Sequence, residues 1–281
     1  TSRRRERFLK AFHEMASREQ RLVAVAVRRQ VQLENLSHRD IRGLLFLAVL
    51  TITDPVRSEV VKAVRETQQA GVEVKLVTGD LSATAIAVAR HVGMVGGEDT
   101  HLAGELLHEM SDAELSQRLP KTTVFSRVEP LDKQRIVRLL QKQGEVVAMT
   151  GDGVNDAVAL KSADIGVAMG SGTDIAKDSS DLVLLNNSFA TITAAIREGR
   201  VIRDNVRRVI LFLLSTNAAE VAIFLGSLIL GLPLPLLPAQ VLWINLVTDG
   251  TSDIALSLEH AERDVMRRPP ENPAAPLISK I

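Results

Sequence analysis

Met149-Thr150-Gly151-Asp152-Gly153-Val154-Asn155-Asp156 is the stretch on which the fold turns. The apolar run that leads into it, residues 145–149, predicts a buried strand. That strand ends in a carboxylate flanked by glycines, and a second carboxylate follows four residues on, where a helix is expected to begin. In open α/β sheets the carboxyl ends of the strands are where ligands bind. Two acidic side chains there, beside glycines that let backbone approach closely, suit a hard cation such as Mg²⁺ and the phosphate it carries. A tight turn followed by a helix cap would produce the same residues in isolation, so the remainder of the chain decides between the two.

Working outward, apolar runs alternate with helical patterns. Strands are expected at residues 44–52, 72–77, 122–125, 165–169 and 182–185, with helices at 83–91 and 130–141 between them. Asp54-Pro55 reads as a cap opening a further helix with Val60, Val61 and Val64 on its inner face. The run at 44–52 is nearly continuous, as in a strand covered on both faces. Alternating strands and helices imply α/β architecture with a doubly wound parallel sheet. Residues 5–18 read as a mixed-charge helix, 21–27 as an apolar strand and 34–40 as a linker.

The composition changes after residue 208. Residues 209–230 and 239–258 are dominated by Leu, Ile, Val and Ala, each long enough for a bilayer core. Between them lies an uncharged, helix-breaking Gly231-Leu232-Pro233-Leu234-Pro235-Leu236-Leu237-Pro238 turn. Arg200, Arg203, Arg207 and Arg208 precede the first span, and Arg263, Arg267 and Arg268 follow the second. The positive-inside rule then puts both ends and the soluble portion in the cytoplasm of a multi-pass protein of the cell membrane. From Ser188 the pattern predicts one long helix that runs from the soluble portion into the bilayer. The 34 Lys and Arg equal the 34 Asp and Glu, which gives no basis for a nucleic-acid partner. The absence of Cys excludes disulfides and thiolate metal sites.

Further chemistry sits at the other strand ends. Thr78-Gly79-Asp80 offers a hydroxyl and backbone N–H groups for phosphate oxygens. Lys133, at the start of a helix, can neutralise charge on a transferring phosphoryl group. In the spans, Asn217 and Glu220 are three residues apart, and Asn245, Thr248 and Asp249 are at i, i+3 and i+4, so each set shares a face of its helix. Carboxylates inside a membrane are costly and functional by default. The two sets together suit a cation cage, with interhelical hydrogen bonding as the alternative. One more carboxylate, Asp253, lies a turn beyond Asp249.

The opening stretch, continuing through Ala157-Val158-Ala159-Leu160-Lys161 and Ala163-Asp164-Ile165-Gly166-Val167-Ala168-Met169-Gly170, resembles the Thr-Gly-Asp-Gly-Val-Asn-Asp signature of the P-type ion-pumping ATPases. Hydroxyl, lysine and paired carboxylates on successive strand ends resemble the haloacid-dehalogenase-like pattern to which those pumps belong. Asn217-Ala218-Ala219-Glu220 and Trp243-Ile244-Asn245-Leu246-Val247-Thr248-Asp249-Gly250 are similar to the fifth and sixth membrane helices of type-II pumps.

The resemblance implies ATP and Mg²⁺ as cofactors. Thr78, Gly79, Asp80, Lys133, Asp152, Asn155 and Asp156 would serve phosphoryl transfer, with Asp152 and Asp156 on Mg²⁺. Arg21 and the Asp54-Pro55-Val56-Arg57 segment, similar to the family's Asp-Pro-Pro-Arg, would contribute Arg21, Asp54 and Arg57 to the nucleotide site. Asn217, Glu220, Asn245, Thr248 and Asp249 would bind the transported cation. Asn245 favours Ca²⁺, because sodium/potassium pumps carry aspartate there, although Thr251-Ser252 replaces the family's Leu-Pro and residues 259–269 have a sodium/potassium-pump character.

The implied division is 1–36 as the tail of a nucleotide-binding domain with its linker, and 37–187 as the phosphorylation domain. A stalk helix follows at 188–208, then spans at 209–231 and 239–258, and a cytoplasmic loop at 259–281. The family's phosphorylated Asp-Lys-Thr-Gly-Thr does not occur in the sequence. The expectation is therefore a portion of a longer pump that forms no phosphoenzyme alone. Its partners would be the remaining pump segments: actuator domain, nucleotide domain and other membrane helices. A membrane-tethered phosphatase-like protein and a non-catalytic regulatory module are the readings from other classes.

Overall fold

The computed structural model describes residues 21–27, 43–52, 56–94, 100–272, 275–276 and 278. These fall into two compact units, one within residues 1–58 and 75–136, the other within 59–74 and 137–281. The helix expected at 5–18, the linker at 34–40 and the Asp54-Pro55 cap lie outside the described residues.

In the first unit, β1 (Arg21–Val27) pairs antiparallel with β2 (Leu45–Ile52), from Arg21 opposite Ile52 to Val27 opposite Leu45. The expectation of a strand covered on both faces at 44–52 is corrected here: the strand forms, but Leu45 is 69% and Leu47 62% exposed. An unbroken apolar run has no alternation to distinguish a buried parallel strand from one paired with another apolar strand.

Next come β3 (Leu76–Val77), β4 (His101–Ala103) and β5 (Val124–Ser126), a parallel sheet with β5 in the middle. All three β5 residues are fully buried. Ala85 and Ala89 of the helix Ser82–His91 lie against Val124, with Leu76 and Met94 beside them. Alanine at those positions lets helix and sheet approach closely. The expected strand at 72–77 is reduced to two residues. Ahead of it the Lys75 ammonium donates to the carbonyls of Leu119 and Thr122, at 2.8 and 2.9 Å.

The second unit holds β6 (Ala148–Gly151), β7 (Ile165–Met169) and β8 (Leu182–Leu184), also parallel and in that order. Thr150 pairs with Val167, and Val167 with Leu182. Gly166 is required by packing: a Cβ there would sit 2.8 Å from the Leu160 carbonyl oxygen. The parallel α/β pairing expected from the sequence is thus present, as two three-stranded sheets.

From Ser188 a single helix runs Phe189–Ile229, 41 residues and about 60 Å at 1.5 Å per residue. The Ser188 hydroxyl caps it, accepting from the Ala190 N–H and donating to Glu59 Oε1 at 2.7 Å. Buried Thr193 bonds Thr67 and the Ala63 carbonyl, docking the helix Ser58–Gln69 on this first stretch. The long helix ends at Gly231, whose φ of +67° suits glycine. Gln240 then caps the next helix through the Leu237 N–H, with Pro238 in its first turn.

Phe189–Ile229 is long and apolar enough to cross a membrane. The second expected span differs in form. Residues 238–257 are helical, but Pro238–Trp243 and Gly250–Ser257 are separated by a π segment, Ile244–Asp249. Residues 238–257 therefore form no single α-helix of spanning length.

Candidate functional site

The 78–80 loop leaves β3 beside the end of β5. The Thr78 N–H donates to the Phe125 carbonyl, and the Val128 and Arg127 N–H groups donate to the Thr78 and Asp80 carbonyls. Arg127 takes a φ of +53° to make this turn. Gly104 gives it room, since a Cβ there would lie 2.0 Å from the Arg127 carbonyl oxygen. Thr78 Oγ1 donates to Asp80 Oδ2 at 2.9 Å and accepts from the Asp80 N–H at 3.1 Å. The hydroxyl is therefore already oriented at the strand end, with Gly79 and Asp80 exposed. A Cβ on Gly79 would have only the Val128 oxygen near it, at 3.8 Å, so the space beside its backbone is open.

Lys133 is half-buried in the first turn of Pro130–Lys142. Asp132 fixes that turn. Its buried carboxylate accepts from the Glu129 N–H at 3.0 Å and pairs with His108 Nε2 at 2.8 Å. Thr78, Gly79, Asp80 and Lys133 all belong to the first unit.

Asp152, Asn155 and Asp156 belong to the second. They follow β6 in a turn that enters a short 3₁₀ segment, Val154–Asp156, and then the helix Ala157–Ser162. Asp152 and Asn155 are exposed, while Asp156 is 8% exposed. Asp156 Oδ2 lies 3.4 Å from the N–H nitrogens of both Asp152 and Gly153. The Asp152 carbonyl accepts from the Thr173 N–H, which ties this turn to the loop after β7.

Two glycines make the arrangement possible. A Cβ on Gly151 would fall 2.5 Å from Asp156 Cβ and 2.9 Å from its Oδ2. One on Gly172 would fall 2.9 Å from the Asp152 backbone carbonyl oxygen. An exposed carboxylate, a second one held beside amide donors, and a cradle that only glycine leaves open form an all-oxygen donor set. That set fits Mg²⁺. The turn-and-cap arrangement and a cation-binding one are compatible here, because Asp156 accepts from the turn's N–H groups while Asp152 faces solvent.

Of the residues expected to contact the nucleotide, Asp54 lies outside the described residues, as does the side chain of Arg21, whose backbone starts β1. Arg57 is exposed, just before the helix Ser58–Gln69.

In the long apolar helix, the Asn217 side-chain amide donates to the Leu213 carbonyl of its own helix at 2.7 Å. Glu220 is half-buried and its Oε1 is fully buried with no hydrogen-bond partner. On the second helix Asn245, Thr248 and Asp249 all fall in the π segment, and the Gly250 N–H reaches back five residues to the Asn245 carbonyl. The expected regular α-helical face is corrected accordingly: Asp249 is 4% exposed, whereas Asn245 and Thr248 are exposed. π segments of one turn occur frequently at functional sites because they realign side chains and carbonyls.

Sequence reasoning missed a set of contacts in this unit between the first part of the long helix and the segment after the second. Arg200 donates to the carbonyls of Ala70, Val265 and Arg268, at 2.6, 2.8 and 2.9 Å. Burial pulls its guanidinium below the ordinary arginine range. Asn205 Nδ2 donates to the Ser257 and Glu259 carbonyls. Arg268 pairs with Asp204, Asp264 and Glu262, and its guanidinium holds the Asp264 carboxyl below the usual carboxylate value. The segment after the second helix is thus bound to the first part of the helix Phe189–Ile229. Only the density of Arg near 200–208 and 263–268 marked this in the sequence.

Comparison with known proteins agrees with these features. A haloacid dehalogenase-like hydrolase model matches residues 4–164, more than half the chain, and a second such model matches 133–196. A model described as cation transporting ATPase, C-terminus, matches residues 233–281. The chain is 45% identical over 261 residues to a calcium-transporting ATPase of Bacillus subtilis, covering 92% of this chain and 29% of that protein. It is 46% identical to the endoplasmic reticulum calcium ATPase srcA of Aspergillus fumigatus, over 84% of this chain and 25% of that protein. It is 43% identical to the human calcium-transporting ATPase type 2C member 1, over 84% of this chain and 26% of that protein. The chain therefore spans less than a third of the length of these relatives. By the model match over more than half of its length the chain belongs to the haloacid dehalogenase-like hydrolases, and within them it is similar to the calcium- and cation-transporting ATPases.

Proposed function

We propose that this chain is the phosphorylation-domain and cation-path portion of an ATP-driven P-type pump, with Ca²⁺ as the transported ion. One observation carries the reading. In the second unit a single continuous helix, Phe189–Ile229, starts five residues after the end of β8, in the sheet that leads into Asp152 and Asp156, and carries Glu220. A change at the phosphoryl site is thereby mechanically joined to a half-buried carboxylate in an apolar segment, one of whose oxygens is buried without a hydrogen-bond partner. A hairpin that merely tethered a phosphatase would have no use for Glu220 or for the buried Asp249.

In this reading the Thr78 hydroxyl and the 78–80 N–H groups orient phosphate oxygens, and Lys133 neutralises their charge. Asp152 and Asp156 hold Mg²⁺, which supplies charge neutralisation at the phosphoryl oxygens when bound. Asn155 provides a neutral hydrogen-bonding partner beside them. Arg21, Asp54 and Arg57 belong to the nucleotide site, as the resemblance implies. The accepting aspartate lies in the longer protein, with the actuator and nucleotide domains and further membrane helices, so this chain by itself forms no phosphoenzyme. Glu220, Asn217, Asn245, Thr248 and Asp249 bind Ca²⁺ from the two helices of a multi-pass protein in the cell membrane, with the soluble portion and both ends cytoplasmic. The names of the relatives and the amide at Asn245 support Ca²⁺.

The test is cation-activated ATP hydrolysis by the full-length protein. Glu220→Gln and Asp249→Asn should each abolish activation by Ca²⁺ while still accepting phosphate from inorganic phosphate. Unchanged Ca²⁺ activation in both variants would refute the cage.

A further inference from the structure

The second membrane helix carries a carboxylate that this reading leaves unused. Asp253 lies four residues after Asp249, within Gly250–Ser257, where regular α-helix resumes beyond the π segment. Residues four apart in an α-helix share a face, so Asp253 stands one turn from Asp249, about 6 Å along the axis. Its Oδ1 is buried without a hydrogen-bond partner, a condition that among the described residues only Glu220 Oε1 shares. The nearby hydroxyls are committed to their own helix. Thr251 donates to the Val247 and Thr248 carbonyls, Ser252 to Thr248 and Ser257 to Ile254. Asp253 itself is half-buried, and a carboxylate oxygen kept from water and left unpaired is unfavourable unless a cation reaches it.

Its depth is set by Asn205, which anchors the Ser257 and Glu259 carbonyls to the stalk. Asp253 therefore lies between that anchor and Asp249, on the stalk side of the cage. We propose that Asp253 is a further ligand in the cation path, receiving the divalent cation between the stalk side and Glu220 with Asp249. The proposal rests on the pump reading above. A hard cation moving between oxygen sites needs a charged acceptor at each step where water is excluded, and one helical turn is a suitable spacing for such a relay.

The full-length protein in detergent tests this through the Ca²⁺ concentration that half-activates phosphorylation by ATP. Asp253→Asn should raise that concentration about tenfold or more, in the range that loss of a coordinating shell group produces. Asp253→Glu should restore most of the affinity. In the unmutated protein, dicyclohexylcarbodiimide should modify Asp253 without Ca²⁺, and saturating Ca²⁺ should protect it. Unchanged half-activation in Asp253→Asn, or labelling of Asp253 indifferent to Ca²⁺, overturns the proposal in favour of a contact with a neighbouring helix. If Asp249→Asn also leaves activation unchanged, the pump reading itself has failed.

Discussion

Gly151 shows how narrowly the acidic turn is constrained. Its missing Cβ is the space that Asp156 occupies, 2.5 Å from where the added atom would be. Gly151→Ala should therefore displace Asp156 and lower stability by about 1–3 kcal/mol, as overpacking does. Thermal unfolding with and without Mg²⁺ checks this, and the Mg²⁺-dependent increment should shrink as well. His101 is a second case. It shares a 2.8 Å hydrogen bond with Ser126 Oγ, which in turn contacts Ser82 Oγ at 2.7 Å, and burial lowers its pKa. The unfolded chain takes up this proton near pH 6.5, before the folded one does. Stability should then be complete above that pH and decline as pH falls through the lowered folded value. Urea midpoints measured from pH 7.5 to 5 should show the decline, and His101→Gln should flatten it. Asp152 and Asp156 were legible as a pair in the sequence, but the division of labour between a solvent-facing and a buried carboxylate was not. It depends on Gly172 and Thr173, from the loop after β7. His101 escaped notice because a three-residue strand leaves no periodicity to read.

At the scale of elements, the helix beginning at Ser188 was plain in the sequence, since its cap and its apolar pattern agree. The π segment was not, because i, i+3, i+4 spacing presupposes α-helical geometry. The short helix Asp112–Arg118 carried a readable signal, the Ser111-to-Glu114 capping box, in which Ser111 holds the Glu114 carboxyl below its ordinary value. The arginines around the stalk were legible only as markers of membrane orientation. In the structure Arg200 holds three backbone carbonyls from two separate segments. Arg200→Ala should cost about 2–4 kcal/mol, because those carbonyls lose a charged donor. In the full-length protein it should also weaken the link between Ca²⁺ binding and phosphorylation. Proteolytic sensitivity of the 259–272 loop reports the first effect: the variant should be cut faster than the wild type.

For the whole molecule, the α/β class, the parallel pairing and the long apolar helix all follow from sequence pattern. The antiparallel pairing of β1 with β2 does not, since two apolar runs carry no information on direction. The site was legible as chemistry at strand ends and helix faces. Its burial was not, because Glu220, Asp249 and Asp253 differ in environment only through packing between helices. In the proposed pump, ATP consumed at the Asp152–Asp156 centre moves Ca²⁺ past Glu220 and Asp249. The direct measurement is ATP-dependent uptake of radioactive Ca²⁺ into sealed vesicles containing the full-length protein. Uptake should require Mg²⁺ and ATP and be lost in both Asp152→Asn and Asp249→Asn. Uptake that persists in Asp249→Asn, or ATP hydrolysis with no Ca²⁺ accumulation in intact vesicles, would contradict it.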